Sequence, residues 1–436
     1  KTLPAQPVTV AIEALDPGGM GLAQAEGRTV RVQGALPGER VSFVYTRIRQ
    51  HEAEGRVEQV LQSSAERVEP GCPHFGVCGG CSLQHLAPEA QRRFKQQLLL
   101  DTLHRVGEVA PEEVLAPLAS GTGWGYRQKA RLGVKYVVKK HKVLVGFRER
   151  GSGFLTDTER CPILDPRVGE LIAPLSALID DLSIRDRVPQ IEVAMGDETC
   201  VLVFRLLAPA SEQDQRHLRA FGESHRVSVY LQEGGPETIR PLDDKGVVLS
   251  YLLPREQLQL QFLPGDFTQV NAALNRQMVA RAVQLLELGP ADRVLDLFCG
   301  LGNFTLPIAR HCLQVTGVEG DDGLVARARE NARRNHIDNA RFFAADLYRE
   351  QSGEPWLGEP FDKALLDPPR SGAREILRHL PALGVRRIVY VSCYPETLAR
   401  DAGELVGEHG YRLLAAGMMD MFPHTAHMES IALFQR

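Results

Sequence analysis

Three cysteines, Cys72, Cys78 and Cys81, fall within ten residues in the stretch PGCPHFGVCGGCSLQH. Thiols this close can form disulfides, ligate a metal, or have met by chance. Cys393 directly follows the apolar run VYVS and precedes Pro395 and a helical pattern. A thiol between a strand end and a helix N-terminus is drawn towards its thiolate, although most lone cysteines are small buried apolar residues. Cys161, Cys200, Cys299 and Cys312 also stand alone. Three acids close successive strand patterns: Glu319 in VTGVEG, Asp346 in FFAADLY and Asp367 in LLDPPRSG. Acids at such positions can bind ribose hydroxyls; the bland alternative is helix capping. In MFPHTAHMES, Glu429 follows His424 and His427, so a carboxylate and two imidazoles are available as general bases.

Three stretches of different character must position these residues. Residues 8–62 read as short strands with period-two alternation and glycine turns, which predicts a small closed barrel of the OB type. Its strands carry Arg28, Arg31, Arg47, Arg49 and Arg56. The segment RVEPGCPH breaks the pattern. APEAQRRFKQQLLLDTLHRVG then predicts a helix with Pro88 near its start and Gly107 just past its end. Residues 125–262 alternate again and predict a second β-rich unit. From about residue 266, helix and strand patterns take turns, the rhythm of a doubly wound α/β sheet. In VLDLFCGLGNF a strand runs into a glycine turn, where a ligand can approach the backbone. The match to G-x-G-x-x-G is incomplete, so a dinucleotide is not favoured. The fold class is therefore a multidomain combination of α/β and β. It comprises a barrel over residues 1–64, a central β-rich domain over 65–265, and an α/β domain over 266–436. The helix near 88–107 is free to pack on the last of these.

The 436 residues exceed one ordinary core. With 43% hydrophobic and 24% charged residues, the chain is neither disordered nor fibrous. No apolar run approaches the roughly 20 residues that span a bilayer. KTLPAQPVTV does not resemble a signal peptide, so a cytoplasmic monomer is expected. Eight cysteines in that compartment argue against a disulfide framework. A net charge of −4 does not exclude nucleic acid, because local charge decides. Between Tyr126 and Arg150 nine Lys or Arg stand against one acid. This is read as a phosphate-contacting hairpin, the alternative being a solvated strand face.

The glycine turn and the strand-end acids resemble the class I S-adenosyl-L-methionine-dependent methyltransferases. The resemblance implies that Phe298 and Asn303 line the donor site. It gives Glu319 the ribose and Asp346 the adenine side, and sets Asp367 by the methionine and the acceptor base. DLFCGLGNF, LLDPPRSG, VSCYPETLARD and FPHTAHMES, in that order, are further similar to the RNA uracil-C5 methyltransferases over roughly the last 170 residues. That likeness implies Cys393 as the nucleophile towards carbon 6 of uracil and Glu429 as the base that removes the carbon 5 proton. Through DFTQVN it adds Gln269 as a donor-binding residue. The pattern C-x5-C-G-G-C-x-L-Q-H resembles the family branch with a [4Fe–4S] cluster. It implies Cys72, Cys78, Cys81 and, in TERCPILDP, Cys161 as the four ligands. A structural zinc could use the same sulfurs. The branch with both barrel and cluster acts on 23S rRNA, and its barrel is the RNA-binding TRAM module. The competing readings are a non-catalytic RNA-binding or folding factor, and methylation of a different rRNA or tRNA uridine.

Overall fold

The computed structural model describes residues 3–4, 6–121, 123–243, 245–349 and 353–436. The N-terminal strands are β1 (Val8–Ala11), β2 (Ala14–Leu15), β3 (Gly21–Ala25), β4 (Arg28–Gln33), β5 (Arg40–Ile48) and β6 (Glu52–Gln62). They form one sheet in the order β1-β5-β6-β4-β3-β2. The kinked segment β1–β2 pairs with β5 through its first half and with β3 through its second, which closes the sheet on itself. Alternate residues such as Val30, Val32, Val41 and Phe43 fill the interior. Gly55 is needed there, because a Cβ would come within 2.3 Å of the Phe43 ring. The expected arginine face is largely paired. Arg31 bridges Glu52 and Glu54, Arg49 meets Glu52, and Arg28 meets Glu26. Arg67 ties the barrel to the next segment through Glu39, at 2.6 and 2.8 Å.

Helix α1 (Pro88–Gly107) follows, then β7 (Glu113–Val114). Gly107 is the last helical residue rather than a stop signal beyond it; Glu108 takes the left-handed cap position. The glycine serves packing, since a Cβ there would lie 2.3 Å from the carbonyl of Ala399 on a later helix.

The central sheet comprises β8 (Lys129–Val137), β9 (Lys142–Gly146), β10 (Gln190–Met195), β11 (Cys200–Arg205), β12 (Ser228–Gln232) and β13 (Arg240–Pro241), in the order β13-β12-β11-β10-β8-β9. Helices α2 (Pro166–Gly169), α3 (Ile172–Asp180) and α4 (Glu212–His225) interrupt it. β8 and β9 are the basic hairpin, but several of its charges are already engaged. Lys129 donates to the carbonyls of Pro264 and Asp266, and Lys140 and Lys142 share Asp157 at 2.8 Å each.

The C-terminal sheet is built from β16 (Arg293–Leu297), β17 (Gln314–Glu319), β18 (Ala340–Ala344), β19 (Lys363–Leu366), β20 (Arg387–Ser392), β21 (Arg412–Met419) and β22 (Glu429–Gln435), with β7 at its edge. The order is β18-β17-β16-β19-β20-β22-β21-β7, parallel from β18 to β20, with β22 inserted antiparallel. Helices α5 (Ala272–Leu286), α6 (Thr305–Ala309), α7 (Asp322–Arg334), α8 (Arg374–Leu377) and α9 (Pro395–Gly407) accompany it. α8 is much shorter than the pattern REILRHLPAL predicts. The order reverses between β16 and β19, which opens a crevice at the carboxyl ends of those strands.

Packing crosses the sequence boundary drawn at residue 265. The hairpin β14 (Leu249–Leu253) and β15 (Leu258–Phe262) shares a core with Leu274, Met278 and Val279 of α5. The amides of Asn331 on α7 and of Asn335 at its C-cap complete hydrogen bonds to Gln261 and Gln259 of β15. α1 likewise packs on α9, sharing the core of Leu398, Ala399 and Ala402. The hairpin shares that core with Ala194, Val201 and Val203 of the central sheet as well, and the start of α1 packs on Leu36, Leu83 and Leu86.

Candidate active site

The glycine turn after β16 is the first wall. Phe298 sits at φ 64°, with Gly300 and Gly302 also at positive φ. A bulky residue in the left-handed region is strained, and such strain concentrates at ligand sites. The Glu319 carboxylate fastens this turn to the next strand end. It accepts from the backbone N–H of Gly300 at 3.0 Å and of Gly320 at 2.8 Å. The Asn303 Oδ1 accepts from the Asn275 amide and from the Tyr251 hydroxyl at 2.8 Å, so its side chain is held by β14 and α5. The rings of Phe298 and Tyr348 lie 5.7 Å apart.

Cys393 and Glu429 are 36 residues apart in the chain, and the sheet makes them neighbours. β20 pairs antiparallel with β22 so that Ser392 faces Ser430, and the Ser430 hydroxyl donates to the Ser392 carbonyl at 2.9 Å. One further step along each strand brings Cys393 beside Glu429. All eight sequence-predicted residues, Gln269, Phe298, Asn303, Glu319, Asp346, Asp367, Cys393 and Glu429, line one cavity of about 550 Å³.

The cavity is acidic and poorly solvated. Burial raises the Asp367 carboxyl to about 7. Beneath it Asp296, fully buried and bonded by the Thr305 hydroxyl at 2.5 Å, is raised to about 8 by burial, with the charges of Asp367 and Glu319 adding to it. Glu429 is pushed well up by burial and by Asp367. Carboxyls in this condition favour a cation. Cys393 departs from expectation. Its thiol is raised to about 11 by burial and by the charges of Glu429 and Asp367, with Arg370 opposing. The helix N-terminus does not outweigh these effects, so the thiolate is disfavoured until positive charge arrives.

Of the two histidines, His427 borders the cavity. His424 is built into the scaffold instead: its ring stacks on Trp124 at 4.1 Å, its Nδ1 lies 3.3 Å from the Gln91 amide, and burial lowers it to about 4. Sequence reasoning missed Tyr251, Tyr348, Arg370 and Asp296. For Asp296 the signal was an acid inside the apolar strand VLDLF. Arg370 lay inside the motif DPPRSG. The other two had no local signal.

The four remaining predicted residues also converge. The loop holding Cys72, Cys78 and Cys81 is pinned to the segment after β9, with Gly79 N–H to the Arg148 carbonyl and Arg150 N–H to the Val77 carbonyl, both 2.8 Å. The Cys81 thiol is pushed up to about 12 by burial, and the charges of Cys161, Cys78 and Cys72 all contribute. Burial and these neighbouring thiols together disfavour a lone Cys81 thiolate. Among the described residues, no three His, Cys, Asp or Glu side chains are gathered to hold a single metal ion. The same loop reaches the catalytic strand. Ser82 and Leu83 donate their N–H groups to the His424 carbonyl at 2.9 Å, and the Ser82 hydroxyl accepts from Ala426 N–H at 3.0 Å.

Known proteins match this arrangement. A family model described as tRNA (Uracil-5-)-methyltransferase matches residues 149–351 and 358–436. The chain is 57% identical to a protein of Alkalilimnicola ehrlichii named 23S rRNA (uracil(1939)-C(5))-methyltransferase RlmD, over 100% of this chain and 98% of that one. It is 54% identical to the protein of the same name from Nitrosococcus oceani, with the same coverage. The solved structure of Pyrococcus abyssi tRNA (uracil-54, C5)-methyltransferase in complex with S-adenosyl-L-homocysteine superimposes with a TM-score of 0.74. That chain is 23% identical, with 98% of this chain and 99% of that one covered, so the two share a fold. With catalytic-half motifs, sheet order and full-length relatives in agreement, the chain belongs to the tRNA (uracil-5-)-methyltransferase family.

Proposed function

We propose that the protein transfers a methyl group from S-adenosyl-L-methionine to carbon 5 of a uridine in 23S rRNA, the uridine 1939 named for its relatives. The register of β20 on β22 carries this reading, because it sets a thiol and a carboxylate side by side on an acidic cavity. Carbon 5 of uracil is a weak nucleophile. The Cys393 thiol loses its proton to solvent, and its sulfur bonds to carbon 6, which shifts an electron pair towards carbon 5. That pair takes the methyl group as the bond to the donor sulfur breaks. Glu429 then removes the carbon 5 proton, and the returning pair expels the Cys393 sulfur. Burial suits Glu429 to this step, since a carboxylate of raised proton affinity is the stronger base.

Glu319, Asp346, Gln269, Phe298 and Asn303 hold the donor. Asp367 stands between its cationic end and the acceptor base. Cys72, Cys78 and Cys81 of the cysteine loop, with Cys161 before α2, are the thiols that would hold a [4Fe–4S] cluster. The barrel is the TRAM module and grips RNA with the exposed remainder of the basic hairpin.

Purified protein, labelled donor and 23S rRNA fragments test the reading. Label should appear on carbon 5 of one uridine, at the 1939 site. Binding of RNA without transfer would reduce the protein to an RNA-binding factor, and label elsewhere would reassign its target.

A further inference from the structure

Cys393 is followed closely by α9, and one face of that helix grips the loop after β19 that carries Asp367 and Arg370. Thr397, Arg400 and Asp401 stand at i, i+3 and i+4, so they share that face. The Thr397 hydroxyl lies 3.1 Å from the Arg370 carbonyl, and the Arg400 guanidinium donates to the Ser371 carbonyl at 3.0 Å. Asp401 Oδ2 accepts from the Ala373 N–H at 2.7 Å. Between these anchors Gly372 sits at φ 81°. A Cβ there would come within 2.5 Å of the Arg400 guanidinium and 2.6 Å of the Asp401 carboxylate.

Asp401 is wholly buried. Its Oδ1 accepts from Arg400 Nε at 2.8 Å, and its Oδ2 also accepts from the Tyr390 hydroxyl of β20 at 2.6 Å. Replacing a buried ion pair by well-packed apolar residues is often neutral or stabilising, so stability does not account for it. What the carboxylate supplies is position, since it joins β20, α9 and the loop at one point. Arg370 borders the cavity with Cys393, and its charge opposes those of Asp367 and Glu429 at the thiol. Asp367 is rooted separately, at the end of β19, where its N–H meets the Leu297 carbonyl at 3.3 Å. Loosening the loop would therefore move Arg370 and leave Asp367 in place. The loop also reaches the donor wall, because the Ser371 hydroxyl bonds the Tyr348 hydroxyl at 2.8 Å.

We propose that Asp401 is a positioning residue for methyl transfer. With Arg400 it clamps residues 370–373 onto α9, and so holds the Arg370 charge near the Cys393 sulfur while the thiolate forms and attacks. The inference rests on the reading of Cys393 as the nucleophile.

Asp401→Asn tests this in the full-length protein. An amide has one oxygen, so it cannot accept from Arg400 at one end and from Ala373 and Tyr390 at the other. Iodoacetamide alkylation of Cys393, read by mass spectrometry of its peptide, reports the thiolate without turnover. In the variant the pH profile should move to higher pH, which at about pH 8 slows alkylation about fivefold. The kcat should fall by a similar factor while KM for the donor stays near that of the parent. Arg370→Gln should reproduce the shift, and adding Asp401→Asn to it should move the profile no further. Should Asp401→Asn fail to fold, Thr397→Val removes a single anchor and should give a smaller shift in the same direction. Glu404→Gln breaks a bond from α9 to Arg374, at 3.1 Å and outside the loop, and should lower the melting temperature without moving the profile. An Asp401→Asn protein with a lowered melting temperature but the parental profile would overturn the proposal, as would alkylation slowed equally at every pH. A parent protein that alkylates as expected yet transfers no methyl group would overturn the functional reading instead.

Discussion

In the proposed reaction Cys393 and Glu429 divide the chemistry between them, and their variants should fail differently. Cys393→Ala removes the nucleophile, so methyl transfer should vanish while donor and RNA still bind. Glu429→Gln keeps the nucleophile and removes the base. It should permit addition and methylation, then accumulate a covalent protein–RNA adduct that survives denaturing electrophoresis. Loss of activity in the Gln variant without any adduct would move the base to His427, since His424 is turned into the scaffold. The thiol itself offers a second prediction. With its pKa raised to about 11, Cys393 is almost wholly protonated at neutral pH, and its thiolate fraction rises only as pH climbs towards that value. A cation beside Asp367 and Glu429 offsets their repulsion, so the titration should move to lower pH. The thiolate absorbance lost in Cys393→Ser, followed against pH, should shift further down with the sulfonium donor bound than with its uncharged thioether product. Equal shifts would show that charge is not the cause. The residues for this chemistry could be read from the chain because a thiol after an apolar strand has a local signature. The raised pKa could not, because carboxylates from other strands produce it.

At the level of elements, α1 supports the loop that leads into β22 and Glu429. Lys95, fully buried, donates to Asp420 at 2.6 Å and to the Phe422 carbonyl at 3.0 Å. One turn earlier Gln91 accepts from the His424 N–H at 2.9 Å. Lys95→Met leaves the Asp420 carboxylate buried and unpaired, a loss on the order of 3–5 kcal/mol. Urea unfolding should register it, and kcat should fall because Asp420 opens the loop leading to Glu429. The double change Lys95→Met with Asp420→Leu should recover most of the stability, since no lone charge remains. A single variant as stable as the parent would mean the pair contributes nothing. The helix over 88–107 was legible from Pro88 at its start and Gly107 at its end. That Lys95 would be buried against Asp420 was not, because a buried lysine in a polar-looking helix reads as a surface residue. Gly107 was misread for a related reason: a glycine near a helix end suggests a cap, whereas contact with α9 is what requires it.

Across the whole molecule, the cysteine loop joins barrel, central sheet and catalytic loop. Anaerobically purified protein should be brown, and Cys161→Ser should lose the colour and unfold at lower temperature while still binding the donor. A colourless parent with one zinc per chain would replace the cluster with that metal. RNA binding should also reflect the charges the fold has spent. Lys139→Ala should weaken RNA binding and flatten its salt dependence more than Lys140→Ala or Lys142→Ala, because the latter two already share Asp157. Equal effects would mean the pair opens when RNA arrives.

The sequence by itself determined the α/β rhythm after residue 266 and the closed run of strands before residue 62. These follow from local patterning: side-chain period, turn residues, and polar groups placed at strand ends. Tertiary structure alone decided that the β14–β15 hairpin packs on α5 and α7, because covering an apolar face depends on what comes to lie against it. It also decided that Cys393 stands beside Glu429, since strand register is a relation between segments. The balance of charge followed the same rule, with arginines and lysines neutralised by acids from other strands and carboxyls desolvated by one another. A residue's type and spacing are written along the chain, but its solvent and its neighbours exist only once the chain has folded.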